Sequence, residues 1–328
     1  MPDLLDEVTQ WQAAHAKREG FDVGRVTQAA GDSSAAEIDD ALGLLVTMVQ
    51  QVEVTNVGLL SLVCGALVED GGDPQTVGPA LLDRVRDVYA PAGGRWQRML
   101  ASRDQRTRAK ENASRFEAGM VAHLARSKAL RAEARSQPDL LALVGKSTLA
   151  GWESSLVRML RVLDDERLVV LHPAQHRGFE ATIGGVPVNY ELTVLLESGL
   201  VGDPDAGYLS GDPVDLQAAE QILAADPPDG DVLCTAQFNL WNWSALQPDQ
   251  TLPDATAASS DRWIWNEECP ADIVPFEGTR VVLLGPPPYT RTFTARRTFS
   301  AMVPQLDVKL LSDTETSSWL ERLASAPR

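Results

Sequence analysis

The sequence predicts an α+β or α/β protein in which an N-terminal helical bundle, residues 1–165, precedes a C-terminal α/β domain with a mixed sheet, residues 166–328. Two observations predict this order. Apolar residues recur every three or four positions through much of the first half, as they do on helices. After residue 165, short apolar or alternating segments of strand length are interleaved with helical ones. The 328 residues, 44% of them hydrophobic, allow each region its own core.

The first half is predicted to contain four helices, of which the second is shorter. A capping box of Ser34 and Glu37 starts the first, which is expected to run to about Glu69. Its apolar stretch, 42–68, is expected to be buried rather than to span a membrane, because polar side chains interrupt it. The other three helices are predicted at about 77–89, 95–135 and 141–163.

The third of these helices differs from the others because residues 101–112 include no large apolar side chain. A helix that is polar all round cannot lie deep in a core, so this part is predicted to be a solvated extension. Nine basic and four acidic residues between 103 and 135 give it a local charge of +5. Such a charge is typical of a solvated helix surface with ion pairs or of contact with an acidic surface.

The second half is predicted to alternate strands with helices. Strands are expected at 168–171, 179–183, 232–243, 280–284 and 306–311, and helices at 189–199 and 314–323.

The charge of the chain restricts its partners. There are 29 Lys and Arg residues against 46 Asp and Glu, a net charge of −17, which disfavours sequence-independent binding to nucleic acid or to an anionic membrane. Residues 200–278 hold fifteen acidic residues and one basic residue, Arg262. The field of that segment favours a cationic ligand or a basic partner.

The composition predicts a cytoplasmic, bacterial protein. Three widely separated cysteines do not form a disulfide framework, and the acidic amino terminus lacks a signal-peptide pattern. Arg outnumbers Lys 24 to 5, which is typical of a GC-rich bacterial genome.

Two short motifs do not support a metal or nucleotide site. His172 and His176 have metal-ligand spacing, but Pro173 makes a shared helix face improbable, so they are only weak metal candidates. The segment 145–148 resembles the end of a phosphate-binding loop, yet Leu140 stands where that motif needs glycine. We therefore predict no cofactor.

The strongest site candidate is a tryptophan cluster. The segments 238–243 and 262–267 alternate, so on strands each Trp pair would project from one face, with Asn239 on the first face and Glu267 on the second. The cluster is interpreted either as packing beneath the loop 244–261, which could act as a flap, or as the aromatic walls of a ligand site. Its members are Trp241, Trp243, Trp263 and Trp265.

Tyr289 extends this candidate ligand-binding site. Three prolines follow the strand at 280–284 and place Tyr289 at its carboxyl end, where α/β sheets often carry sites. Aromatic faces beside the carboxylate of Glu267 and the amide of Asn239 suit sugars, nucleobases or organic cations.

Two hypotheses for function follow from these patterns. The preferred one is an interaction or regulatory protein whose helical region docks a protein partner or a second copy, and whose acidic half recognises a basic surface. The alternative is a small-ligand-binding protein or an enzyme with an aromatic, acidic pocket around residues 238–289. Buried indoles would favour the first hypothesis, and indoles lining a cleft with Glu267 would favour the second.

Overall fold

A computed structural model describes residues 3–17, 22–90, 102–147, 154–254, 256–287 and 289–327. The predicted fold class is confirmed, because the N-terminal part is helical and the C-terminal part contains a mixed sheet. The chain divides into two compact units, Met1–Arg161 and Val162–Arg328. The division lies four residues before the domain boundary that the sequence predicts.

The first unit is helical throughout its described residues. None of the described helices is long and apolar enough to cross a membrane. The helices are α1 Leu4–Lys17, α2 Gly24–Ala30, α3 Ala35–Gln51, α4 Val57–Glu69, α5 Pro74–Tyr89, α6 Arg103–Arg126, α7 Lys128–Arg135, α8 Pro138–Lys146 and α9 Ser155–Leu160.

The predicted helix from Ser34 to Glu69 begins at the expected capping box but is broken into α3 and α4. Two side chains from other helices satisfy the backbone groups at the break. The guanidinium of Arg84 donates to the carbonyls of Val49 and Val52, at 2.5 and 2.9 Å. Asn112 accepts from the Gly58 N–H at 2.8 Å. Free helix ends need such partners, and α5 and α6 supply them here.

The predicted basic helix is also shorter than expected. It ends at Arg126, because the hydroxyl of Ser127 caps the next helix, α7. Residues 102–111 are all exposed, in agreement with the predicted solvated extension. Residues 95–101 lie outside the described part of the chain.

The predicted helix at 141–163 is two helices, α8 and α9. The first turn of α9 is anchored to α6, because Glu117 accepts from the Ser154 hydroxyl at 3.0 Å and from the Leu156 N–H at 3.2 Å. Residues 148–153, with Thr148 and Trp152, lie outside the described part. Lys146 ends a helix instead of starting one, unlike the lysine of a phosphate-binding loop.

Helices α4 and α6 pack more closely than ordinary side chains allow. The hydroxyl of Ser61 donates to the Phe116 carbonyl at 3.0 Å. A Cβ added at Gly65 would stand 2.6 Å from the Cα of Gly119, and one added at Gly119 would overlap the Ser61 carbonyl. Glycine is therefore required at this crossing for steric reasons.

The second unit is a mixed sheet with one helix against each face. The sheet order is β4-β6-β1-β2-β8, with the short β5 beside β6, and only β1 and β6 run parallel. Helix α10 covers one face and α12 the other, and β3 and β7 form a separate pair. The elements are β1 Glu166–His172, β2 Arg177–Gly184, α10 Asn189–Leu200, α11 Leu216–Leu223, β3 Val232–Ala236, β4 Asn239–Asn242, β5 Pro275–Phe276, β6 Thr279–Gly285, β7 Arg291–Ala295, β8 Gln305–Leu310 and α12 Asp313–Ser325.

One predicted strand, 232–243, is two strands that belong to different sheets. The backbone N–H groups of Gln237 and Phe238 donate to the carboxylate of Glu197 on α10, at 2.8 and 3.2 Å. These N–H groups cannot also join a strand ladder. The chain therefore leaves one sheet and enters the other at this point.

We predict that Gly119→Ala lowers the free energy of unfolding by about 3 kcal/mol, because the new methyl group would push α6 away from the backbone of α4. Urea unfolding followed by circular dichroism measures the change. Gly43→Ala is the matched control, because nothing lies within 4 Å of a Cβ at this helical position. It should raise stability by about 0.5–1 kcal/mol. Equal effects of the two substitutions would contradict the close packing.

Candidate functional site

The four tryptophans of the predicted site have different environments. Trp241 and Trp263 are buried on the α12 face of the sheet, with their rings edge-to-face at 6.0 Å. Trp243 is half-buried and packs against Phe276 at 5.1 Å. Trp265 is 39% exposed. Most of the cluster therefore packs within the core, and Trp265 is its exposed member.

The second tryptophan segment does not form the expected strand. Residues 257–262 form a 3₁₀-helix, and a single bridge joins Trp263 to Trp241. The Asn242 side chain donates to the Trp263 carbonyl at 3.2 Å, and the Ile264 N–H donates to the Leu240 carbonyl at 2.9 Å. These bonds hold the segment against β4 without a continuous ladder.

The first turn of α10 fixes the segment that follows. The backbone N–H groups of Asn189 and Tyr190 donate to the carbonyls of Glu268 and Asn266, at 2.8 and 3.0 Å. The Asn189 amide also donates to the Trp265 carbonyl at 2.9 Å. The loop carbonyls thus satisfy N–H groups that lack partners within the helix. The side chains of Trp265 and Glu267 remain exposed.

Arg291 on β7 brings the polar residues of the predicted site together. It is buried, and its guanidinium donates to the side-chain oxygen of Asn239, which is fully buried. Among the described residues this is the only hydrogen bond of the guanidinium, and none of their ion pairs includes it. A guanidinium has five N–H donors, so four have no protein acceptor here.

Further donors without acceptors lie beside Arg291. Because Asn239 accepts through its oxygen, its amide nitrogen points elsewhere, and this buried nitrogen has no acceptor in the described structure. The indole nitrogen of Trp241 is likewise buried without a partner there. It lies 3.0 Å from the place of a Cβ at Gly285, the residue paired with Asn239 across the sheet. The surplus of donors is typical of a site for an acceptor-rich ligand.

Glu267 and Tyr289 interact electrostatically with Arg291. Burial lowers the pKa of the Arg291 guanidinium, and its electrostatic interactions with Tyr289 and Glu267 oppose that effect. Tyr289 is 59% exposed. Three of the predicted site residues, Asn239, Glu267 and Tyr289, are thus grouped around an arginine that the sequence had indicated only as part of a positively charged segment. We call Asn239, Trp241, Glu267, Tyr289 and Arg291 the Arg291 site.

Glu197 positions the turn that leads into Asn239. One carboxylate oxygen accepts the two N–H groups of Gln237 and Phe238, and the other is buried without a hydrogen bond in the described structure. Burial raises the pKa of Glu197 to about 7, although the two N–H groups oppose the shift. A carboxyl group with a pKa near neutral therefore holds the turn that leads into Asn239.

The two candidate metal ligands have separate partners. His172 accepts from the Gln175 N–H at 3.1 Å, and burial lowers its pKa. The ring nitrogen of His176 lies 3.0 Å from the Ser317 hydroxyl. In the described part of the chain, no group of three or more His, Cys, Asp and Glu residues is placed to hold a metal ion.

Comparison of the chain with protein-family models, with curated proteins and with solved structures found no match. Function is therefore inferred from the residues of the chain and their geometry.

We predict that Glu197→Gln changes the pH dependence of stability. The folded-state pKa of about 7 lies above the ordinary 4.5, so this carboxyl stabilises the fold below pH 4.5, and that contribution is lost as the pH rises through 7. Glutamine has no charge to bury. Relative to wild type, the variant should gain about 3 kcal/mol between pH 4.5 and 8, measured by urea unfolding.

Glu220→Gln is the control for this prediction, because Glu220 is an exposed carboxylate of the same unit. Its stability should follow the wild-type dependence on pH. Parallel curves for Glu197→Gln and wild type would contradict the burial of an ionisable carboxyl.

Proposed function

We propose that the C-terminal unit binds a small organic anion at the Arg291 site, through a carboxylate or phosphate group. The observation that carries this proposal is the buried guanidinium, which has one hydrogen bond and no ion pair among the described residues. A guanidinium that is largely withdrawn from water and has a single acceptor loses hydration that the protein replaces only in part. An anionic ligand would supply the missing partner.

The shape of the donor set supports the carboxylate or phosphate class. Arginine presents its N–H groups as a planar fork that matches two oxygen atoms at once. The Asn239 amide adds further donors beside the fork. The Arg291 guanidinium would repel a cationic ligand, which the acidic composition alone favoured, and Glu267 is the one carboxylate of the site.

A contact of the loop 244–261 with the strand beside Asn239 supports its proposed role as a flap. Leu252, within the loop 244–261, has a methyl carbon 2.6 Å from the place of a Cβ at Gly285. It also packs against the core cluster that contains Trp241. Opening of this loop would admit a ligand, and closure would exclude water from the charged contact.

The helical unit has a second proposed role. We infer that it contacts a protein, either a different chain or a second copy, as the sequence predicts. The supporting observation is that α4 exposes Leu59 and Leu62, at 36% and 38%, on one side of an otherwise buried helix. We also propose a cytoplasmic, bacterial setting. Three buried cysteines that form no disulfide support the cytoplasmic part, and the excess of Arg over Lys supports the bacterial part.

Ligand binding is tested with two probes, benzoate and inorganic phosphate. We expect saturable binding of at least one probe. The Trp241 indole N–H signal in ¹⁵N NMR spectra should shift, because this donor gains an acceptor or because the loop 244–261 moves. Arg291→Lys keeps the charge but loses the fork, and should weaken binding about 10- to 100-fold. A benzoate response without a phosphate response identifies the carboxylate class, and the reverse identifies the phosphate class.

Arg296→Lys is the matched control, because Arg296 is exposed near the end of the same strand. It should bind the probes as wild type does. No saturable response to either probe, or equal binding by Arg291→Lys and wild type, would refute the proposed function.

The protein-contact role is tested by placing the photoreactive amino acid p-benzoylphenylalanine at Leu62 in cells of the source organism. Irradiation should give a covalent adduct with another polypeptide. The same replacement at Leu141, which is 37% exposed on α8, is the control and should give none. The absence of any adduct at position 62 would contradict the role.

A further inference from the structure

Glu267 adds a negative charge to the donors of the Arg291 site. Its side chain is exposed, and it attracts the Arg291 guanidinium electrostatically. The charged atoms of an ion pair lie within about 4 Å of each other. None of the ion pairs among the described residues joins these two side chains. A gap therefore separates a donor group from an acceptor group of opposite charge.

The exposed indole of Trp265 lies at the same end of β4 as Asn239. The bridge between Trp241 and Trp263 is antiparallel, so the residue two positions after Trp263 comes level with the residue two positions before Trp241. These residues are Trp265 and Asn239. The side-chain amide of Asn189 fixes the backbone of Trp265 here, because it donates to the Trp265 carbonyl at 2.9 Å.

Tyr289 supplies a second exposed aromatic ring. It is 59% exposed, and its electrostatic interaction with Arg291 shows that the two side chains are near each other. The charged groups of the site are thus accompanied by aromatic surface from two different loops. A ligand that carries an apolar group as well as charges would remove part of this surface from water.

The charge around the site disfavours a ligand with a large negative charge. Residues 200–278, which include Glu267, hold fifteen acidic residues and one basic residue. A phosphate monoester carries a charge of about −1.5 to −2 at neutral pH, so this segment would repel it. A ligand with one carboxylate and one ammonium group has no net charge and avoids that repulsion.

A free α-amino acid matches this arrangement of donors and acceptor. The two oxygens of its carboxylate fit the fork of the guanidinium and can also accept from the Asn239 nitrogen, which has no acceptor in the described structure. Its ammonium group has only donors, which suits the Glu267 carboxylate. Both groups are attached to one carbon, so the ammonium would lie in the gap between Arg291 and Glu267.

We propose that the Arg291 site binds a free α-amino acid with an apolar or aromatic side chain. The carboxylate of the ligand binds Arg291 and Asn239, and its ammonium group binds Glu267. The side chain of the ligand packs on Trp265 and Tyr289. This inference rests on the proposed function of the C-terminal unit and names its ligand class, a carboxylate that also carries an ammonium group.

Isothermal titration calorimetry of the full chain with three related probes tests the proposal. The probes are phenylalanine, 3-phenylpropanoate, which lacks the ammonium group, and 2-phenylethylamine, which lacks the carboxylate. Phenylalanine should bind about 5- to 10-fold more tightly than 3-phenylpropanoate, because only phenylalanine gains the contact with Glu267. The amine should give no saturable binding, because Arg291 repels it. Equal binding of the amine and phenylalanine would overturn the proposal.

Glu267→Gln tests the role of the carboxylate. The variant should bind phenylalanine about 5- to 10-fold more weakly than wild type and should bind 3-phenylpropanoate at least as tightly, because that probe makes no contact with the removed charge. Glu220→Gln is the matched control, since it removes an exposed carboxylate of the same unit that does not act on Arg291. A Glu267→Gln chain that keeps the wild-type preference for phenylalanine would overturn the proposal.

The same titrations separate this inference from the proposed function. If 3-phenylpropanoate binds and Arg291→Lys weakens it, but phenylalanine binds no more tightly, the amino-acid inference is wrong and the carboxylate function stands. If inorganic phosphate alone binds, the inference is also wrong, and the proposed function stands for the phosphate class. No binding of phenylalanine, 3-phenylpropanoate, benzoate or phosphate would refute both.

Discussion

The parallel pairing of β1 with β6 is the interaction on which the C-terminal unit depends. It joins Leu168–Leu171 to Arg280–Leu283, which are distant in sequence, and both faces of the pair are buried. The register places β4 along the outer edge of β6, with Asn239 opposite Gly285. Because β6 ends at Gly285, the chain returns to Arg291 beside the same asparagine. The site therefore depends on the pairing of two buried strands.

Two other buried arginines, Arg84 and Arg131, show how Arg291 differs from an arginine that satisfies a helix end. Arg84 donates to three carbonyl groups at the end of α3, and Arg131 donates to those of Leu124 and Ala125 at the end of α6. Both side chains satisfy helix termini, which is a recurrent reason to bury a cation. Arg291 satisfies only one amide oxygen, Asn239. The protein therefore offsets less of the free-energy cost of removing water from Arg291 than it does for Arg84 and Arg131. A bound anion would offset more of that cost.

Sequence patterns over a few neighbouring residues predicted the helix ends and strands that depend only on those residues. The capping box at Ser34 and the strands at 280–284 and 306–311 follow from neighbouring residues, and the structure has them. The break after α3 and the division between β3 and β4 depend on Arg84 and Glu197, which come from distant parts of the chain. Sequence spacing carries no signal for such contacts.

The same limit applies to the site. Alternation placed Asn239 and Trp241 on one strand face, and they share it with the buried cluster beneath α12. It could not indicate whether that face was open, because helices cover both sides of this sheet. Arg291 gave no separate signal, since its role requires the tertiary contact with Asn239. Exposed aromatic residues such as Tyr289 were easier to place, because prolines fix the turn before them.

The net charge of −17 and the proposed anion site are compatible because the two would act over different distances. Surface carboxylates act through water and salt, where the field decays over about 8 Å at physiological ionic strength. The guanidinium of Arg291 is largely buried and would act at contact, through charge-assisted hydrogen bonds. Every phosphate of a polyanion such as nucleic acid is repelled by the acidic surface of the protein, whereas a small anion carries only one or two charges that are repelled. On the proposed function, the acidic surface would disfavour polymeric anions and still allow a small anion to reach Arg291.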